Sequence, residues 1–250
     1  MADVDAKVVV DAVSKRFEGR QTVQALDDVS FDVADGEFVC IVGPSGCGKT
    51  TLFRIIAGLE TATAGAVHVD GDRVTGPSTD RGMVFQEYGL FPWRTVRGNV
   101  RFGLEQEDVT AAERDERVEE MLDLVGLRDA ADQYPKELSG GMKQRVGIAR
   151  ALAVDPDVLL MDEPFASVDA QTRANLHTEL LRIWRETAKT VLFVTHDVEE
   201  AVTLADRVVV LQPSPGRLKE VVPVDLDRPR DRTTSAFREY ESRIRSLIGD

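Results

Sequence analysis

The sequence predicts an α/β fold with a largely parallel sheet and a helical insertion, on three observations. First, short apolar runs bounded by turn residues recur along the chain, at Val8 to Val13, Phe38 to Val42, Ala66 to Val69, Gly82 to Phe85, Val158 to Met161, Val191 to Val194 and Val208 to Leu211. Second, helical patterns lie between several of these runs, which is how parallel strands are connected. Third, the alternation breaks from about Tyr88 to Ala153, where helical patterns follow one another with no convincing strand.

The insertion has its own local signals. Thr110 and Glu113 stand at capping-box spacing. Val118, Met121, Leu122 and Val125 then recur with the period of one helix face. Near the end of the chain, the proline-containing stretch Gln212 to Gly216 reads as a link from the last core strand to a short tail. That tail closes on an amphipathic helix around Phe237 to Ile248. No internal repeat or low-complexity tract is visible.

Bulk properties narrow the class. A chain of 250 residues with 42% hydrophobic residues can bury a substantial core. A formal net charge of -13 repels phosphate backbones and argues against nucleic acid as a partner. The two cysteines, Cys40 and Cys47, are too few for a disulfide framework, which fits a reducing compartment. No basic region with a following apolar run opens the chain, so no signal peptide is expected. No apolar stretch approaches the roughly 18 residues a membrane-spanning helix needs. If the protein serves a membrane, another chain must cross it.

The run Gly43, Pro44, Ser45, Gly46, Cys47, Gly48, Lys49, Thr50 fits G-x-x-x-x-G-K-[ST], a loop that cradles phosphates. Such a loop turns successive backbone N–H groups inward, and glycines supply the dihedrals and the close approach. Lys49 reaches the β- and γ-phosphates as a point charge, and the Thr50 hydroxyl ligates Mg²⁺. Thr51 opens the following helix, Thr51 to Ala57, whose positive end faces the anion. The apolar strand before the loop and the helix after it are the context the motif requires. Only backbone groups are needed at Cys47, so its thiol has no assigned role, and Cys40 reads as core.

A second acidic element follows the strand Val158 to Met161. Asp162 and Glu163 sit at its end, where α/β folds place their chemistry. Taken alone, an Asp-Glu pair before a helix is more often a cap. Beside a phosphate loop, Asp162 suits Mg²⁺ and Glu163 suits general-base activation of a water.

Leu138-Ser139-Gly140-Gly141-Met142-Lys143-Gln144-Arg145 resembles the signature of the ABC ATPases. In physical terms Ser139 is a good N-cap, and the glycines expose N–H groups at a helix start, a second anion site. The resemblance extends in order over nearly the whole chain. It implies an ABC cassette over 1–250: a RecA-like α/β core (1–87 and 154–222) with an antiparallel β portion, a helical subdomain (88–153) and a C-terminal tail (223–250). It implies that Gln86 is the Q-loop glutamine, a contact for Mg²⁺ and water. Ser167-Val168-Asp169 resembles the D-loop, with Asp169 kept. His196 matches the switch histidine that contacts the γ-phosphate, and Phe17 is the candidate for stacking on adenine, with a core phenylalanine as its alternative. His68 and His177 match nothing. The resemblance further implies ATP and Mg²⁺ as ligands. One phosphate loop and one signature per chain call for a second copy or a paralogue, so that Ser139, Gly140 and Gly141 of one subunit face the ATP held by the other.

Two functional classes compete: a transporter motor and a soluble ABC ATPase. The coiled coil of the DNA-repair types and the tandem cassettes of the translation factors have no counterpart here. The iron–sulfur assembly ATPase is the closest soluble rival on size. Against it, Tyr88 to Val100, Asp169-Ala-Gln-Thr-Arg173 and the tail LDRPRDR resemble the nitrate/sulfonate/taurine importer group. That group implies a peripheral subunit on the cytoplasmic face of the membrane, bound to a permease and served by an extracytoplasmic solute-binding protein. The tail is too short for the regulatory domain of some sugar-importer ATPases.

Overall fold

The computed structural model describes residues 6–19 and 21–249. Residues 1–5, which opened the stretch read for a signal peptide, lie outside it. The elements run β1 (Ala6–Phe17), β2 (Val23–Ala34), β3 (Phe38–Val42), α1 (Lys49–Ile56), β4 (Ala64–Val69), β5 (Asp72–Arg73), β6 (Arg81–Val84), α2 (Val96–Arg101), α3 (Ala111–Leu124), α4 (Gly140–Ala153), β7 (Val158–Asp162), α5 (Ala170–Thr187), β8 (Thr190–Val194), α6 (Val198–Leu204), β9 (Arg207–Gln212), β10 (Arg217–Pro223) and α7 (Ser235–Ile248). They gather into two compact units, one of the described residues up to Ser78 and from Thr190 onward, the other Thr79–Lys189.

The first unit holds two sheets. In the antiparallel one the order is β2-β1-β4-β5. Val8, Val10 and Val13 of β1 are all buried, although Val10 and Val13 are three residues apart. A register shift between them restores the inward face, with Ala12 at φ 48° and its N–H donating to Ser30 Oγ (2.9 Å). In the other sheet β3 lies parallel to both β8 and β9, and β10 returns antiparallel along β9. Every residue of β3 and β8 is buried, the continuous apolar run expected of parallel strands covered on both faces.

The tail arginines fasten α6. Arg230 donates to the carbonyls of Val202 (2.6 Å), Ala205 (2.6 Å), Val224 (3.0 Å) and Leu226 (3.0 Å). Arg228 donates to the carbonyl of Leu204 (2.6 Å) and to Asp206 (2.7 Å), and Arg232 pairs with Glu199 in the first turn. A cation at the C-terminal carbonyls of a helix satisfies both its orphan acceptors and its dipole. Burial among these carbonyls, with Arg228 alongside, pushes Arg230 down to about 10.

In the second unit β6 and β7 pair in parallel. The segment from α2 through α4 is helical, and Thr110 and Glu113 form the expected capping box. Val118, Met121, Leu122 and Val125 are buried, as their spacing predicts. His177 of α5 is buried against Phe165, with ring centroids 5.5 Å apart. Among the described residues no helix is long and apolar enough to cross a membrane.

One expectation needs correction. Gln212 to Gly216 does not lead out of the last core strand into a tail; it is the turn of a β9–β10 hairpin. The sequence of β10, RLKEVVP, is too charged to read as a core strand, because one side faces solvent. Strand β2 also escaped notice, because Asp27 and Asp28 interrupt its alternation at a bend where Asp28 takes φ 54°.

Candidate functional site

The phosphate loop leaves the C-terminal end of β3 and enters α1. Two glycines are required there by contact. A Cβ on Gly43 would meet Leu211 O at 2.6 Å, and one on Gly48, at φ 94°, would meet Leu26 Cδ2 at 2.7 Å. Ser45, Gly46 and Thr50 are exposed, while Cys47 and Lys49 are buried. Lys49 Nζ turns back into the loop, donating to the carbonyls of Gly43 (2.7 Å) and Pro44 (3.2 Å). The first turn of α1 carries no acidic residue, so nothing opposes an anion at its positive end.

A buttress behind this loop was not foreseen. The hairpin turn reaches it at Gly216, where a Cβ would stand 2.0 Å from Cys47 O. Gly216 N donates to Ala25 O (3.0 Å) and Asp27 N donates to Gly216 O (2.9 Å). The PSPG run in the sequence marks a turn, but only the fold shows what it supports.

His196 follows β8, the immediate neighbour of β3. Thr195 N donates to Ile41 O (3.2 Å), and Asp197 N donates to Thr195 Oγ1 (3.0 Å). Asp197 then caps α6, accepting from Glu199 N (2.9 Å). His196 therefore stands exposed on a braced turn, at the same sheet end as the phosphate loop. Phe17, at the end of β1, is 41% exposed with Lys15 Nζ 4.9 Å from its ring centroid, which sets aside the core alternative.

In the Thr79–Lys189 unit, Gln86 lies just past β6, and Asp162 and Glu163 lie at the end of β7. The parallel register Val84↔Met161 brings the two strand ends level. Gln86 is exposed; both carboxylates are half-buried. Glu163 takes φ 45°, a left-handed conformation costing a non-glycine residue about 1–2 kcal/mol, which is the kind of strain that gathers at working sites. Ser139 caps α4, accepting from Met142 N (3.3 Å), with Ser139 and Gly140 exposed. Gly141 is buried, and a Cβ there would meet Thr172 Cγ2 at 3.0 Å, so α4 and α5 meet on this glycine. Asp169 caps α5, accepting from Thr172 N (3.0 Å); this bond to Thr172 holds its carboxyl below the usual range.

Known proteins share this fold and much of this sequence. The sequence profile described as ABC transporter matches residues 26–166. The chain belongs to the ABC transporter family. It is 55% identical over 245 residues to an uncharacterized ABC transporter ATP-binding protein of Methanocaldococcus jannaschii, covering 98% of this chain and 92% of that protein. It is 50% identical to the nitrate import ATP-binding protein NrtD of Synechocystis (94% and 92% covered). It is 44% identical to the aliphatic sulfonates import ATP-binding protein SsuB of Bacillus cereus (95% and 94% covered). A solved dimeric ATP-binding cassette in a post-hydrolysis state, bound to ADP and Pi, superposes with a TM-score of 0.75 at 32% identity, covering 88% of this chain and all 100% of that one. The ABC cassette fold and the ATPase class expected from the signature are therefore established, and with them the importer-group resemblance.

Proposed function

We propose that this chain is the ATP-hydrolysing motor of an importer, peripheral to the cytoplasmic face of the membrane, driving uptake of a small anionic solute such as nitrate or a sulfonate. The observation that carries the reading is that one chain presents two distinct helix starts suited to phosphate, the Lys49 loop on α1 and the Ser139 cap on α4. Either alone is half a site. Two subunits, copies or paralogues, supply the halves to each other, as a nucleotide sandwich requires. The dimeric cassette that superposes on this chain, and the named import functions of the two relatives, support it.

In this reading the phosphate oxygens take Lys49 Nζ over from the Gly43 and Pro44 carbonyls, and Phe17 stacks on the adenine. Mg²⁺, when bound, would neutralise charge on those oxygens; Thr50, Gln86 and Asp162 are the hard oxygen donors that would hold it. Glu163 accepts a proton from the attacking water, and His196 contacts the γ-phosphate. Ser139, Gly140 and Gly141 donate from the opposite subunit, and Asp169 holds the D-loop beside them.

The permease side rests on one loop. Asn99, fully buried, donates to the carbonyls of Phe91 (3.2 Å), Arg94 (3.1 Å) and Thr95 (2.9 Å) and accepts from Phe91 N (2.7 Å). The loop is thus rigid, with Phe91 against Phe102, yet it leaves Trp93 71% exposed. A rigid loop with an exposed tryptophan suits a protein partner.

The test is reconstitution of the permease complex in liposomes with its solute-binding protein. Loading that protein with nitrate or with an alkanesulfonate should raise ATP hydrolysis severalfold over the unloaded protein. Equal hydrolysis with every anion and with none would remove the importer assignment.

A further inference from the structure

Within the Thr79–Lys189 unit, one tyrosine touches three of the segments described above. Tyr88 follows Gln86 by two residues. Its backbone takes φ 57° in the left-handed region, as does Gly89 after it. Its carbonyl accepts from Arg150 Nη2 (3.1 Å), and that of Gly89 accepts from Arg150 Nη1 (2.6 Å). Arg150 belongs to the last turn of α4. The other end of Tyr88 reaches the first turn of the same helix. Its hydroxyl lies 3.2 Å from Ser167 Oγ, and a Cβ on Gly140 would meet it at 3.2 Å. At the carbonyl end, a Cβ on Gly147 would stand 3.7 Å from Tyr88 O.

Gly140 and Gly147 are two turns apart and share a helix face. Tyr88 therefore lies along roughly 10 Å of α4, with Gly140 and Gly147 at the two ends of that span. Its hydroxyl ends where α4 exposes its first N–H groups, and it bonds a serine two residues before Asp169. A bond between two hydroxyls at an exposed position contributes at most about 1 kcal/mol to folding. The left-handed backbone costs as much. Stability does not account for the arrangement; position does.

We propose that Tyr88 is a positioning residue for ATP hydrolysis: its hydroxyl links the segment after Gln86 to Ser167 and to the start of α4, so that the three move as one piece. It touches no reacting atom. The backbone N–H groups that follow Ser139 and the carboxylate of Asp169 keep their aim only while Ser167 and Gly140 are held against that hydroxyl. This inference rests on the proposed function.

The permease complex would be prepared with Tyr88→Phe, with Ser167→Ala, with both, and with Glu163→Gln. Tyr88→Phe should shift the melting temperature by less than about 2 °C and leave ATP affinity unchanged. It should lower kcat about tenfold at saturating ATP, a loss typical of misplaced groups. Ser167→Ala should match it, and the double variant should lose no more than either single one. Wild-type kcat in Tyr88→Phe, or losses that multiply in the double variant, would overturn the link. So would a drop of more than about 5 °C in both single variants, which would make the hydroxyl pair a fold contact. Glu163→Gln separates the two levels: normal turnover there removes the hydrolytic assignment on which this inference rests, whereas an inactive Glu163→Gln beside a normal Tyr88→Phe defeats this inference alone.

Discussion

Glu163 shows how a single residue can be named from sequence and yet understood only in the fold. An Asp-Glu pair alone reads more often as a cap; the phosphate loop in the same chain is what turns the reading towards chemistry. The left-handed φ of 45° is what no pattern could supply. Strain of this kind gathers at working sites, which supports the proposed role of the Glu163 carboxylate and makes substitution the test. Glu163→Gln should bind ATP with near wild-type affinity and lose at least about a hundredfold in turnover, the range general-base catalysis contributes. Single-turnover hydrolysis beside equilibrium nucleotide binding checks both halves, and near-normal hydrolysis would end the assignment. As candidates, Lys49, Thr50 and His196 were legible because each sits in a local motif. Tyr88 and Asn99 were not: a tyrosine along a helix, or a buried asparagine closing four hydrogen bonds, has no sequence spacing of its own.

At the scale of elements, the buried parallel strands were the easy part. Phe38 to Val42 and Val191 to Val194 are apolar throughout because neighbours cover both faces. Strands β2 and β10 were missed because their polar positions face solvent or break at bends, which leaves no clean period. The tail LDRPRDR was legible only as a resemblance; its physical role is to fasten α6. Arg230→Ala removes four donated bonds and leaves the carbonyls of Val202, Ala205, Val224 and Leu226 without that partner. Urea unfolding of the purified chain should show a loss of about 2–4 kcal/mol, with Arg230→Lys recovering only part, since an ammonium has three donors and no fork. A loss under about 0.5 kcal/mol would mean the tail does not hold the helix. At the same scale, Trp93→Ala should leave the melting temperature of the isolated chain unchanged, because Asn99 and Phe91 hold the loop without it. Co-purification of the permease should weaken by about 2 kcal/mol of affinity. A lower melting temperature with the complex intact would return Trp93 to the local core.

For the whole molecule, the decisive property is incompleteness. A chain with one Lys49 loop and one Ser139 cap predicts complementation. Subunits carrying Lys49→Ala and subunits carrying Ser139→Arg should each be inactive, yet a mixed dimer joins both lesions in one site and leaves the other whole. Mixtures should recover activity that neither mutant shows alone, and a mixture as inactive as its components, despite demonstrated pairing, would count against a shared site. ATPase assays on tandem-tagged mixed dimers separate the two cases. The charge of -13 fits this picture of a protein that meets other proteins rather than phosphate polymers.

The glycine at the hairpin tip has a consequence for detection. The amides of Gly216 and Asp27 are tied to Ala25 and Gly216, hard against the carbonyl of Cys47 in the phosphate loop. Opening those bonds requires the loop to give way. A nucleotide that stiffens the loop should therefore slow hydrogen–deuterium exchange at these two amides, neither of which belongs to the loop itself. Mass-spectrometric exchange of the chain with and without ATP reads this directly, with Lys49→Ala showing no such slowing. The hairpin becomes a reporter of occupancy, carried by the chain itself and needing no label.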